Sequence, residues 1–146
     1  MTLKVNVRKI HNLAQLPEYA TNGSGCFDIR CIDGGTLTPS DNTLVLRTGL
    51  AFEIPDDHVM LLFSRSGNGF KNGVRLSNSV GVIDSDYRGE VMAKLHLDGA
   101  SPLEIQPESR MVQGIILKYD RVEFEEKSTL SYTSRGTGGF GSTRDV

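Results

Sequence analysis

The chain reads as a single all-β domain: a sandwich, a jelly roll or a barrel. Three observations carry that reading. Short runs of alternating apolar and polar residues recur along it, the period of half-buried strands. Clusters of Gly, Asp, Asn, Ser and Pro punctuate those runs about every ten residues, the spacing of sandwiches and barrels. No window of helical length shows a 3.6-residue period. At 146 residues the chain suits one domain with its own core.

In chain order, residues 3–10 alternate as a half-buried strand, and residues 12–22, with Pro17, read as a loop or short turn. A Gly-rich turn at residues 23–25 runs into a strand ending near Cys31, and residues 33–35 turn again. Residues 43–54 read as one strand with Gly49 as a bulge, stopped at Pro55. Residues 58–63 form a short apolar strand, followed by a polar loop over 64–73. Residues 81–91 read as a β-hairpin whose first arm ends at Asp84 and whose turn closes at Gly89. Strands are expected over 91–97, between Pro102 and Pro107, over 110–119, and over the alternating residues 122–126. Residues 131–146 are rich in Ser, Thr and Gly and read as a mobile arm. The expected organisation is a β domain over 1–130 and an arm over 131–146.

Composition narrows the function. Sixteen Lys and Arg against 18 Asp and Glu do not describe a protein that coats a polyanion, so no nucleic-acid partner is expected. No apolar run approaches the ~18 residues of a membrane span, and no charged start leads into an apolar stretch as in a secretory signal. The two cysteines, Cys26 and Cys31, would point to opposite faces of one strand, which disfavours a disulfide. His11, His58 and His96 are too scattered for structural zinc. A cytoplasmic setting with reduced thiols follows, the host cytoplasm if the source is viral.

Several segments can carry chemistry. A carboxylate held at the end of a strand, as Asp84 is, suits general-base work, and Tyr87 is near enough to wall the same pocket; the plain alternative is an acidic tip in water. Arg65-Ser66-Gly67 offers a cation, a hydroxyl and a backbone N–H to phosphate oxygens, or is an ordinary surface loop. Arg110 and Gln113 open a strand that could reach the same anion. Asp28 could orient water on a phosphate-bound Mg²⁺, or merely cap a turn. Residues 136–141 match G-x-G-x-x-G, but no helix can follow within the five residues that remain, so the dinucleotide reading fails. What remains is a Gly-rich arm whose Arg135 suits phosphate and whose Phe140 suits a base face.

Taken together, five segments resemble the motifs of the trimeric deoxyuridine triphosphatases (dUTPases). They are residues 24–29, Arg65-Ser66-Gly67, residues 78–89 with Ile83-Asp84-Ser85-Asp86-Tyr87 at their centre, Arg110 through Gln113, and Arg135 through Thr143. Cys26 stands where the family usually has Gly, and Ser64 where Pro is usual. The resemblance implies a jelly-roll-like fold and a homotrimer. It implies active sites at subunit interfaces, each closed by a neighbour's arm. The implied reaction is hydrolysis of dUTP to dUMP and pyrophosphate with Mg²⁺ as cofactor, which limits uracil incorporation into DNA and supplies dUMP for thymidylate synthesis.

In that scheme Asp84 is the base that activates water. Asn78, Gly81 and the backbone of Val82, Ile83 and Asp84 read uracil. Tyr87 packs on deoxyribose, and Met92 lines the nucleoside pocket. Arg65, Ser66, Gly67, Arg110 and Gln113 lie at the phosphates. Arg135, Phe140, Gly141 and Ser142 come from the arm, and Asp28 meets Mg²⁺ through water. The competing readings are a dCTP deaminase, or a bifunctional deaminase and phosphatase, on a similar fold, and a non-catalytic β-sandwich that binds nucleotide or a protein.

Overall fold

The computed structural model describes residues 2–140. The eleven strands described belong to four sheets. The largest, in the order β2-β11-β6-β8, pairs Phe27–Arg30, Arg110–Lys118, His58–Ser64 and Val80–Ile83. A second, β4-β9-β7, pairs Thr43–Arg47, Met92–Leu97 and Val74–Leu76. β1 (Asn6–Lys9) pairs with β5 (Leu50–Glu53), and β3 (Gly35–Leu37) with β10 (Leu103–Ile105). The pairings are antiparallel throughout, and the architecture is the β jelly roll. No described helix is long and apolar enough to cross a membrane.

Alternation does the folding. Along β9, Ala93, Leu95 and Leu97 turn inward while Met92 and Lys94 stay exposed; along β6, Met60 and Leu62 are buried. The inward residues of both larger sheets join Leu37, Leu50, Phe52 and Ile105 in one core. Burying a side chain of this size stabilises by about 1.5–3 kcal/mol. Cys31 lies in this core, and burial pushes its thiol pKa up. Both cysteines are free.

Four expectations need correction. Residues 43–54 are two strands in two different sheets, broken at Thr48 and Gly49. Gly49 has φ +67°, and a Cβ there would stand 2.8 Å from that of Ala14, so the chain crosses between sheets at a residue only glycine can supply. The loop at 64–73 contains a short helix, α1 (Ser66–Asn72). It buries none of its residues, so it leaves no apolar period to find. Residues 122–126 form no strand; Val122 and Phe124 alternate but meet no strand partner among the described residues and stay exposed. The fourth correction concerns the hairpin that carries Asp84.

Candidate active site

Residues 81–91 are not a hairpin. β8 pairs with β6, whereas β9 pairs with β4 and β7, so the turn at 84–91 leads from one sheet to the other. Val91 decides this. Its side chain is buried, its N–H donates to Leu50 O at 2.9 Å, and its carbonyl accepts from Thr48 Oγ1 at 2.7 Å. β8 is therefore an edge strand, and the outer side of its backbone is open for a ligand's hydrogen bonds.

The turn is internally bonded. Tyr87 N–H donates to Asp84 O at 3.2 Å, and Arg88 Nη1 donates to Ser85 O at 2.6 Å. The Tyr87 hydroxyl donates to Glu90 O at 3.0 Å. Its ring lies across Gly89, where a Cβ would come within 2.5 Å of that hydroxyl. Any larger residue at 89 would push the ring aside.

Two shallow cavities meet along β8. One, of about 420 Å³, is lined by residues that include Asn78, Gly81, Val82, Ile83, Met92 and Lys94. The other, of about 230 Å³, is lined by Val82, Ile83, Asp84, Tyr87, Glu90, Val91 and Met92. The nucleoside residues named from the sequence are thus together. Val45, Ser77, Lys94 and Glu90 also line these cavities. Lys94 was legible, since it shares an exposed strand face with Met92 two residues away. Asp84 lies between this pair and a third cavity of about 630 Å³ bounded by His58, Asp86 and Arg121. Among the described residues no cation pairs with Asp84.

A second cluster surrounds Asp28, a buried carboxylate on β2. Arg65 Nε lies 2.9 Å from one oxygen, and Arg65 Nη2 and Arg110 Nη1 lie 3.4 and 3.3 Å from the other. Arg65 Nη1 also donates to Arg110 O at 3.0 Å. Two guanidinium groups around one carboxylate leave a net positive charge, partly open to solvent, beside the first residues of α1, Ser66 and Gly67. Such a corner suits phosphate oxygens. Gln113 Nε2 donates to Ser64 O at 3.0 Å, and Ser64 Oγ accepts the Leu76 N–H at 2.9 Å. The serine standing in place of proline therefore ties the end of β6 to β7.

From the sequence, Asp28 is expected to meet a phosphate-held Mg²⁺ through water. Both of its oxygens are engaged by guanidinium groups, and among the described residues no three His, Cys, Asp or Glu side chains converge on a point.

The two clusters are apart. Asp84 follows Ile83, which pairs with Met60 near one end of β6, while Arg65 follows Ser64 at the other. At about 3.3 Å per residue that separation is roughly 20 Å. The described part of the arm, residues 131–140, joins neither cluster. Arg135 Nε donates locally to Gly138 O at 2.9 Å, and Phe140 is fully exposed. Gly141 and Ser142 lie outside the described residues.

A family model for dUTPase matches residues 12–144. This chain belongs to the dUTPase family. Among curated relatives, the deoxyuridine 5'-triphosphate nucleotidohydrolase of Nautilia profundicola is 38% identical over 141 residues, covering 97% of this chain and 99% of its own. That of Rickettsia felis is 39% identical, covering 96% of each chain. Solved dUTPases share the fold. A variant of the Staphylococcus bacteriophage 80alpha enzyme, determined with dUpNHpp, superposes with a TM-score of 0.88 at 23% identity, covering 97% of this chain and 98% of its own. A variant dUTPase of phage phi11 of S. aureus, described with a structural Mg(II) ion, gives 0.80 at 20% identity over 89% of this chain and all of its own.

Proposed function

We propose that this protein hydrolyses dUTP to dUMP and pyrophosphate, acting as a homotrimer in the cytoplasm. The observation that carries the reading is the pairing of the Asp84 carboxylate with a nucleoside-sized depression along the open edge of β8. That reading agrees with the dUTP analogue in the phage enzyme and with the nucleotidohydrolase relatives.

In this reading the outer backbone groups of β8 and the Asn78 side chain pair with the uracil edge. Cytosine reverses the donor and acceptor pattern there and would leave buried polar groups unpaired. The Tyr87 ring, held by its bond to Glu90 O and by the absence of a side chain at Gly89, lies against the deoxyribose and leaves no room for a 2′-hydroxyl. Asp84 takes a proton from a water molecule. The water oxygen adds to phosphorus, the bridge between the α- and β-phosphates breaks, and pyrophosphate leaves. General-base help of this kind contributes about 10²–10⁴-fold.

Charge on the phosphates falls to Arg65, Arg110, the N–H groups of Ser66 and Gly67, and Gln113. At roughly 20 Å along the backbone from Asp84, these groups of one chain suit a neighbour's Asp84 better than their own. In this reading a neighbouring copy brings them, and three copies about a threefold axis complete every site equally. Arg135, Phe140, Gly141 and Ser142 would come from an arm laid over the completed site. The exposed Val122, Phe124, Leu130 and Tyr132 give the chain apolar surface for such association. Magnesium would arrive on the triphosphate, whose oxygens are its usual ligands.

The test is pyrophosphate release from dUTP, dCTP, UTP and dTTP with Mg²⁺, alongside light scattering. Turnover of dUTP alone by a species three times the 16.0 kDa chain mass is the expected result. Ammonia from dCTP, binding without release, or a fully active monomer would overturn the corresponding part.

A further inference from the structure

The turn that carries Asp84 and Tyr87 is fastened at one residue. Glu90 Oε1 accepts the Gly49 N–H at 2.8 Å and lies 3.4 Å from Arg47 Nε, and the Glu90 side chain is only 18% exposed. The main-chain carbonyl of the same residue holds the Tyr87 hydroxyl. The anchor on the other side is stiff. Gly49 sits in the left-handed region at the crossing between β4 and β5, tight against Ala14. The next residue of the turn, Val91, is bonded to Thr48 and Leu50 on either side of that crossing.

We propose that Glu90 is a positioning residue. Its carboxylate clamps the turn to the β4–β5 crossing, and its carbonyl fixes the Tyr87 ring. Tyr87 N–H in turn bonds Asp84 O, so both groups inherit their places from Glu90. This rests on the dUTP reading for its consequences. A displaced Asp84 lowers kcat, because a misplacement of about 1 Å can cost on the order of 10²-fold. A displaced Tyr87 relaxes discrimination between deoxyribose and ribose. Losing the carboxylate also leaves the half-buried Gly49 N–H without its acceptor.

The test compares Glu90→Ala and Glu90→Gln with the native chain. It measures kcat and KM for dUTP and UTP, the melting temperature, and amide exchange across residues 84–91 without nucleotide. Glu90→Ala is expected to lower kcat about 10–100-fold and to raise UTP use relative to dUTP. It should speed exchange in residues 84–91 while β6 and β11 stay protected. Glu90→Gln keeps an oxygen that accepts the Gly49 N–H and should restore most of each property. Native kcat, selectivity and exchange in Glu90→Ala would overturn the proposal. So would a loss that follows global melting with selectivity intact, or a Gln variant as damaged as the Ala variant. If the native chain leaves dUTP untouched, the functional reading fails separately, and the exchange experiment still decides the clamp.

Discussion

Residues 84–91 and residues 119–140 both leave strands of the same four-stranded sheet, β8 and β11. Both are polar, both contain glycine, and both hold side chains assigned to the nucleotide. The first is tied down at each step: Asp84 to Tyr87, Tyr87 to Glu90, Glu90 to Gly49, and Val91 to Thr48 and Leu50. The second is tied only where it departs. Tyr119 N–H donates to Asp57 O at 3.0 Å and its hydroxyl to Asp56 O at 3.4 Å; beyond it, Phe124, Leu130 and Tyr132 are almost fully exposed. The difference is topological. A turn that must rejoin the core seven residues later has its ends fixed and its carbonyls supplied with partners. The described residues beyond Tyr119 stay exposed and do not rejoin the core, and ordering them would cost about 1–2 kcal/mol of backbone entropy per residue. General-base chemistry suits the first kind of segment and closure over a ligand the second.

The largest test of that contrast is Asp84→Asn. It is expected to reduce kcat by about 10²–10⁴-fold while calorimetry still detects binding of dUpNHpp; near-native turnover would move the base elsewhere. Deleting residues 134–146 should come next, removing most of the activity with an unchanged melting temperature, because none of the described residues among them is buried. Protease cleavage near Arg135 should slow when dUpNHpp is bound, and a fully active truncated protein would reduce the arm to a tail.

Smaller effects sharpen the comparison further. Arg65→Ala leaves the buried Asp28 with Arg110 alone. It should lower stability by about 1–3 kcal/mol in urea titration and also raise the KM for dUTP, whereas the arm deletion should leave stability alone. The smallest expected effect is at Asp57, beneath the arm's departure point. Lys118, then His58, hold its carboxyl below the usual carboxylate range by hydrogen bonding. A depressed carboxylate adds stability that is present above the unfolded-state pKa and is lost as pH falls through the folded one. Asp57→Asn should therefore lower stability slightly in the neutral region and flatten the acid limb, with variant and native chain converging at low pH, as read by urea titrations at a series of pH values.

Much of this protein was legible from the chain. The period of two in residues 3–10 and 91–97, the short apolar run at 58–63 and the turn residues between determined an all-β fold, because strand period and turn chemistry are local properties of neighbouring residues. The segment from Asn78 to Met92 was singled out through its resemblance to a family motif, and the structure brings its residues along two adjoining cavities. Helix α1 escaped because a helix that buries nothing leaves no periodic trace. Only the tertiary structure decided that β8 pairs with β6 and not with β9, that Thr48 and Gly49 carry the chain between sheets, and that Asp28 holds two arginines. Each depends on which distant backbone and side-chain groups satisfy one another once the core closes. An alternating strand fits any neighbour of the right face equally well until that happens.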